Sequence, residues 1–292
     1  VKEGGMARYA YVNGRYVDHR EASVHIEDRG YQLADGVYEV VGVRDGRLID
    51  EGPHIDRLDR SLRELRIGWP VSRTALGFII RELMRRNRLR DGLIYMQVTR
   101  GVARRDHAFP TVPVKPALVL TTKNTKRADA DTGPGIAVMS QPDIRWERCD
   151  IKTVALLPNV LAKQAARESG AYEAWLIDAD GCVTEGASTN AWIVTQDGEL
   201  VTRQIDNGIL AGITRQTLKG LCNALQLKFV ERPFSLAEAK KAQEAFITSA
   251  TSFVMPVVKI DGQSVGDGKV GPTARRLREE YVRFAATGEA VT

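Results

Sequence analysis

Val37-Tyr38-Glu39-Val40-Val41-Gly42-Val43-Arg44-Asp45-Gly46-Arg47-Leu48-Ile49 reads as two β-strands joined by an Asp-Gly turn. Such a pair between apolar runs marks a hairpin, because the tight turn needs positive φ at its central residues. Pro53 then stands where a first helical turn loses nothing by lacking an amide, with Ile55, Leu58, Leu62 and Leu65 following at helical spacing. Strand, turn, strand and only then helix is a grammar of antiparallel pairing. The fold class it predicts is mixed α/β (α+β), not a doubly wound parallel sheet.

The same grammar extends in both directions. Upstream, Tyr9 to Val12, the Asn13-Gly14 pair and Tyr16-Val17 form another hairpin. Downstream, a second helix begins after Ser72 with Leu76, Ile79, Ile80, Leu83 and Met84 as its apolar face. Leu93 to Thr99 and Ala117 to Thr122 read as strands around an irregular loop over 101–116. Lys123 to Pro134 is polar and nearly free of hydrophobes, so an interdomain linker is expected at 124–134 between an N-terminal domain, 6–123, and a larger one, 135–288. The second half carries short strands at Ile136 to Met139, Glu173 to Ile177, Asn190 to Val194 and Phe246 to Thr248. Helices are expected at about 158–169, 214–225 and 272–286.

Composition narrows the function. A chain of 292 residues with 43% hydrophobic residues can bury a substantial core, and no apolar run reaches the ~18 residues of a membrane span. Val1 to Gly5, ahead of Met6, lacks a signal peptide's apolar core and reads as an appended remnant. Three cysteines without Cys-x-x-Cys spacing fit a reducing cytoplasm better than a disulfide scaffold or a zinc site. The net charge of +5 is spread along the chain, whereas nucleic-acid binding calls for a clustered basic stripe. Neither a Gly-x-Ser-x-Gly elbow nor a phosphate-loop motif occurs, and His19, His25, His54 and His107 lie too far apart to suggest a metal site.

Two clusters carry chemistry. Arg148-Cys149-Asp150-Ile151-Lys152-Thr153 offers a lysine amine, which can form a Schiff base with an aldehyde cofactor. Thr184-Glu185-Gly186-Ala187-Ser188-Thr189-Asn190 offers a carboxylate able to keep a ring nitrogen protonated. Each charge alone is an ordinary surface residue; together they are the protein's minimum for pyridoxal-phosphate (PLP) chemistry. Gly208-Ile209-Leu210-Ala211-Gly212-Ile213-Thr214 runs into a helix whose first amides could cup a phosphate, although an ordinary helix start reads the same way. Thr248-Ser249-Ala250-Thr251-Ser252 is a second hydroxyl-rich element. The loop from Arg100 to Pro110 adds Arg105 and His107, a combination suited to gripping a carboxylate. Arg57 and Tyr38 read alone as a helix ion pair and a packing residue.

With these residues in view, the chain resembles the fold-type IV PLP enzymes, and within them the bacterial D-amino acid aminotransferases. The resemblance runs from about Tyr9 to Tyr281. It rests on Gly36-Val37-Tyr38-Glu39-Val40, His54-Ile55-Asp56-Arg57-Leu58, Gln97-Val98-Thr99-Arg100-Gly101, Arg105-Asp106-His107, Cys149-Asp150-Ile151-Lys152, Thr184-Glu185-Gly186, Gly212-Ile213-Thr214-Arg215 and Asp267-Gly268-Lys269-Val270-Gly271. It implies a two-domain architecture and a ping-pong exchange of the amino group between D-amino acids and α-keto acids. Lys152 matches the Schiff-base lysine and Glu185 the partner of the pyridine nitrogen. Arg57, Gly212, Ile213, Thr214, Ser249 and the Ala250 backbone match phosphate-binding positions; Ser188, Thr189 and Leu210 match residues around the ring. Tyr38, Arg105 and His107 fall where the family traps the substrate carboxylate, the last two from a neighbouring subunit, so a homodimer is implied.

Ala187 and Ala250 stand where better-studied relatives carry hydroxyls. Branched-chain L-amino acid aminotransferases share the lysine region but usually carry Asn-Tyr where this chain has Asn159-Val160, and lack the Arg-x-His pair. Aminodeoxychorismate lyases and (R)-amine transaminases share the fold without Tyr38, Arg105 and His107 as a set. Outside enzymes, a silent PLP- or anion-binding protein is the competing expectation.

Overall fold

The structure, a computed structural model, describes residues 8–125 and 130–287. Val1 to Gly5, the expected domain start at Met6, linker positions 126–129 and the expected end at 288 lie outside the described residues. The chain divides into two compact units, Val1–Arg127 with Ile151–Ala155, and Ala128–Asp150 with Leu156–Thr292.

In the first unit the elements are β1 (Tyr9–Val12), β2 (Arg15–Asp18), α1 (Arg29–Leu33), β3 (Gly36–Arg44), β4 (Arg47–Leu48), α2 (Glu51–Glu64), α3 (Arg73–Asn87), β5 (Gly92–Thr99) and β6 (Ala117–Asn124). The strands form one sheet in the order β2-β1-β6-β5-β3-β4, antiparallel at every pairing. Asn13 and Asp45 adopt φ of 47° and 49°, as the two tight turns require. Ser72 caps α3 by accepting from the Ala75 amide (3.1 Å). The apolar faces of α2 and α3, with Leu58, Leu62, Leu76, Ile80 and Leu83, close over Val37, Val41, Ile94 and Met96 of the sheet. Each such side chain contributes about 1.5–3 kcal/mol of burial.

The short segment Ile151–Ala155 joins this unit although its chain neighbours belong to the other. Thr153 bridges Val37, the Tyr38 amide donates to the Lys152 carbonyl (3.0 Å) and the Val154 amide to the Gly36 carbonyl (3.1 Å). A linear boundary at 124–134 assigns these residues to the second domain; the backbone pairing attaches them to β3.

The second unit contains β7 (Ile136–Pro142), α4 (Leu157–Glu168), β8 (Glu173–Ile177), β9 (Val183–Gly186), β10 (Asn190–Val194), β11 (Leu200–Thr202), α5 (Ile213–Ala224), β12 (Phe229–Glu231), α6 (Leu236–Lys240), β13 (Glu244–Ser249), β14 (Phe253–Ile260), β15 (Gln263–Ser264) and α7 (Pro272–Thr287). Its sheet runs β12-β11-β10-β13-β14-β7-β8-β9, with β15 paired to β14. The pairings are mixed, parallel at β11–β12, β14–β7 and β7–β8. Strand β10 is buried along its whole length, and Trp192 stacks on Phe246 of β13 at 5.4 Å. Asn190 at the start of β10 lies opposite Thr248 near the end of β13. That register sets Asn190 opposite the residue that precedes Ser249, the last of β13.

Candidate active site

Lys152 is partly buried in the first unit. Its Nζ lies 4.3 Å from the centroid of the Tyr38 ring, which stacks on Tyr95 at 5.6 Å. Burial, with a smaller contribution from Tyr38, pushes the Tyr95 phenol up to about 12, so it stays protonated and donates to Gln97 Oε1 (2.7 Å). The Lys152 amide meets Ser61 Oγ at 3.4 Å. Two expected site residues, Tyr38 and Lys152, are thus in contact, and β3 sets the position of both. On the opposite face of β3, Glu39 is fully buried and accepts from Arg57 Nε (2.7 Å), Arg57 Nη2 (2.8 Å) and the His54 ring (2.8 Å). Burial would raise the Glu39 carboxyl, but Arg57 and then His54 outweigh it and hold it at about 2. The Arg57 guanidinium is therefore fixed in direction by a buried carboxylate of its own unit.

Glu185 is buried in the second unit at the end of β9. Its Oε1 accepts from Arg145 Nη1 (2.5 Å) and its Oε2 from Asn190 Nδ2 (3.0 Å), while the Leu210 amide approaches both oxygens at 3.2 Å. Arg145 is itself gripped by Asp143, with Nε to Oδ1 at 2.9 Å and Nη2 to Oδ2 at 2.7 Å, and donates to the Gly208 carbonyl (3.0 Å). Thr184 Oγ1 completes the network by donating to Asp143 Oδ2 (2.7 Å). Burial would raise the Asp143 carboxyl; Arg145 outweighs it and holds it below the usual range. The result is a carboxylate fixed in direction and kept beside a permanent cation. Sequence reading misses Asp143 and Arg145 as site residues, because nothing in their spacing sets them apart from other surface pairs.

Leu210 joins this group through its backbone, and Asn190 Nδ2 also donates to its carbonyl (3.0 Å). Asn190 Oδ1 lies so close to Gly212 that a side chain there would collide with it. Gly212 is the N-cap of α5 and supplies no side-chain acceptor, while Ile213 and Thr214 form the buried first turn. Ser249 Oγ accepts from the amides of Thr251 (3.3 Å) and Ser252 (3.1 Å), closing a tight turn around Ala250. Ser188 turns its hydroxyl to the buried Glu173 (2.7 Å). Thr189 Oγ1 is buried without a hydrogen-bond partner.

Arg105 and His107 are exposed on the loop after β5. The residue between them is anchored, since the Asp106 carbonyl accepts from Arg29 Nη1 (2.6 Å). Arg100, at the root of the loop, is consumed internally. It forks onto Asp35 (2.7 and 3.0 Å), donates to the Leu65 and Arg66 carbonyls and lies 3.7 Å from the Phe109 ring centroid. Burial pushes the Cys149 thiol up to about 11, which makes it an unreactive neighbour of the lysine segment at neutral pH.

The family model described as amino-transferase class IV matches residues 36–260. The chain belongs to the class IV aminotransferases. A D-alanine aminotransferase of Staphylococcus haemolyticus is 42% identical over 274 residues, covering 94% of this chain and 96% of that protein. One from Bacillus licheniformis is 40% identical over 266 residues, 91% and 93% of the two chains. Among solved structures, the branched-chain amino acid aminotransferase of Escherichia coli superposes with a TM-score of 0.88 at 24% identity, covering 98% of this chain and 96% of that one. A hypothetical aminotransferase from Mycobacterium tuberculosis, in its PLP-bound form, gives 0.80 at 20%, covering 96% and 99%. At that identity these structures speak for the fold alone, which is fold-type IV.

The residues of this class IV chain fit such a cofactor group. The first unit supplies an amine; the second, taken by itself, supplies a carboxylate held by Arg145, Asn190 and the Leu210 amide, a helix start with a glycine cap and a buried hydroxyl on Thr189 that lacks a partner. An aldehyde, a pyridine nitrogen and a phosphate are the complementary functions.

Proposed function

We propose that this enzyme transfers the amino group of D-amino acids, D-alanine and D-glutamate among them, to α-keto acids by a ping-pong mechanism, with PLP held covalently by Lys152. PLP supplies an electron sink, in which the protonated ring takes up the electron pair left at the substrate Cα. Glu185 accepts the ring N–H, and Arg145, Asn190 and the Leu210 amide keep its carboxylate pointed for that bond. Gly212, Ile213 and Thr214 of the α5 start, Ser249, the Ala250 amide and Arg57 bind the phosphate. Ser188, Thr189 and Leu210 line the cofactor, with Ser188 acting from its hydrogen bond to Glu173. Lys152 Nζ would carry the proton removed from the substrate Cα, serving as base and then as acid. Tyr38, Arg105 and His107 hold the α-carboxylate, the guanidinium through paired hydrogen bonds.

The observation that carries this reading is the D-alanine aminotransferase likeness, about 40% identity over nearly the full length of both chains. A homodimer in which Arg105 and His107 serve the neighbouring site belongs to the same proposal. It is supported by their exposure on an anchored loop and by the exposed apolar side chains Ile26, Tyr31 and Val112 in the same unit. A cytoplasmic setting is supported by three cysteines that all remain free thiols. Among the described residues no helix is long and apolar enough to cross a membrane.

The test is a donor panel with one keto-acid acceptor and added PLP. Transfer from D-alanine or D-glutamate should exceed that from the L-enantiomers and from (R)-amines by about 100-fold or more in kcat/KM, since only D-amino acids place both carboxylate and Cα–H correctly. Preference for L-leucine or for a simple (R)-amine would replace the substrate assignment.

A further inference from the structure

We propose that Arg278 and Tyr281 of α7 are positioning residues that hold the two halves of the phosphate cup in register. The proposal rests on reading Thr214 and Ser249 as phosphate-binding positions. Those halves, the first turn of α5 and the Ser249–Ser252 turn, are separate stretches of chain. Arg278 and Tyr281, three positions apart and so on one face of α7, are both buried. Arg278 Nη1 donates to the Ser252 carbonyl (2.8 Å) and the Val254 carbonyl (2.6 Å). Between those carbonyls sits Phe253, with a φ of 57° that a non-glycine residue adopts only when its surroundings impose it. Its ring packs on Tyr281 at 4.9 Å. The Tyr281 hydroxyl in turn meets Thr214 Oγ1 at 3.4 Å.

One helix face therefore grips both elements. Through Arg278 and the Phe253 contact it fixes the turn in which Ser249 Oγ bonds the amides of Thr251 and Ser252. Through Tyr281 it touches the hydroxyl at the start of α5. A phosphate bound by donors from both elements gains from having them fixed in advance, because the ordering cost is then met by folding and not by binding. A bound group without a phosphate would draw nothing from the brace.

That difference supplies the test. The full chain, freed of cofactor, is titrated with PLP and with pyridoxal, which has the same ring and aldehyde but no phosphate. Wild type should favour PLP, and Thr214→Val with Ser249→Ala should abolish most of that preference. If the double variant keeps the wild-type ratio, the cup reading itself fails and the brace falls with it. Where the double variant behaves as expected, Tyr281→Phe should weaken PLP binding about threefold and Arg278→Lys about tenfold. Pyridoxal affinity in both should stay within about twofold of wild type. Equal losses for the two ligands, or an unchanged PLP affinity, would overturn the proposal. Should Arg278→Lys fail to fold, Tyr281→Phe decides alone.

Discussion

Lys152→Ala should lower amino transfer about 10⁴-fold while the protein still binds PLP without a covalent link. Two functions are lost together, the covalent hold on the cofactor and the proton carrier between Cα and C4′. A loss of that size corresponds to about 5.5 kcal/mol of transition-state stabilisation. The fold should tolerate the change. What docks the segment onto β3 is backbone pairing by Tyr38, Lys152, Thr153 and Val154, and alanine retains it. A small exogenous amine should restore part of the rate, since it can re-create the missing base where a merely structural lysine could not be replaced from solution. Steady-state rates with D-alanine, with and without added methylamine, measure both effects. Unchanged turnover in the variant would instead favour a protein that binds PLP without using this lysine.

Arg145→Met should be the most damaging change to stability among the site residues, at about 3–5 kcal/mol. The guanidinium is buried between two carboxylates, Asp143 and Glu185, and its removal leaves both in a poorly solvated place without their cation. Asn190 and the Leu210 amide still donate to Glu185, but hydrogen bonds from neutral groups offset only part of that charge. Asp143 is left with neutral donors as well, the Thr184 hydroxyl and the backbone amide of position 145. Urea denaturation reads the loss directly. Combining Arg145→Met with Asp143→Asn should recover a measurable fraction, because one of the stranded charges is gone, and the non-additivity gives the coupling between the two residues.

Arg145 also shows where sequence reading reaches its limit. Lys152 and Glu185 stand out in the sequence because their neighbours form motifs, and a motif is local in the chain. The Asp143–Arg145–Glu185 network joins a loop after β7 to the end of β9, and nothing in the local pattern announces that an ordinary-looking pair will be buried there. The crossing of Ile151–Ala155 onto β3 is hidden for the same reason, since its partner strand is distant in sequence. Strand β14 escapes on different grounds, because Pro256 lies inside it. Its pairing with β7 begins only at Val257, so the missing amide at Pro256 is not required by that neighbour. By contrast, the hairpin turns at Asn13 and Asp45 and the apolar faces of α2 and α3 are plain from sequence. Turn chemistry and helical periodicity are written in neighbouring residues.

The Arg100 loop is a middle case. Its cluster of arginines suggests carboxylate recognition, and Arg100 does bind a carboxylate in forked fashion, but it is the protein's own Asp35. Arg105 and His107 remain exposed at the surface. Sequence can count the donors in this loop but not assign their acceptors.

The central claim, that Lys152 holds the cofactor, is tested most directly by borohydride reduction of the PLP-loaded protein followed by peptide mapping. A single reduced adduct on the peptide carrying Lys152, absent from the Lys152→Ala protein, is the predicted result. An adduct on a different lysine, or none at all in protein that is active with D-alanine, would contradict it.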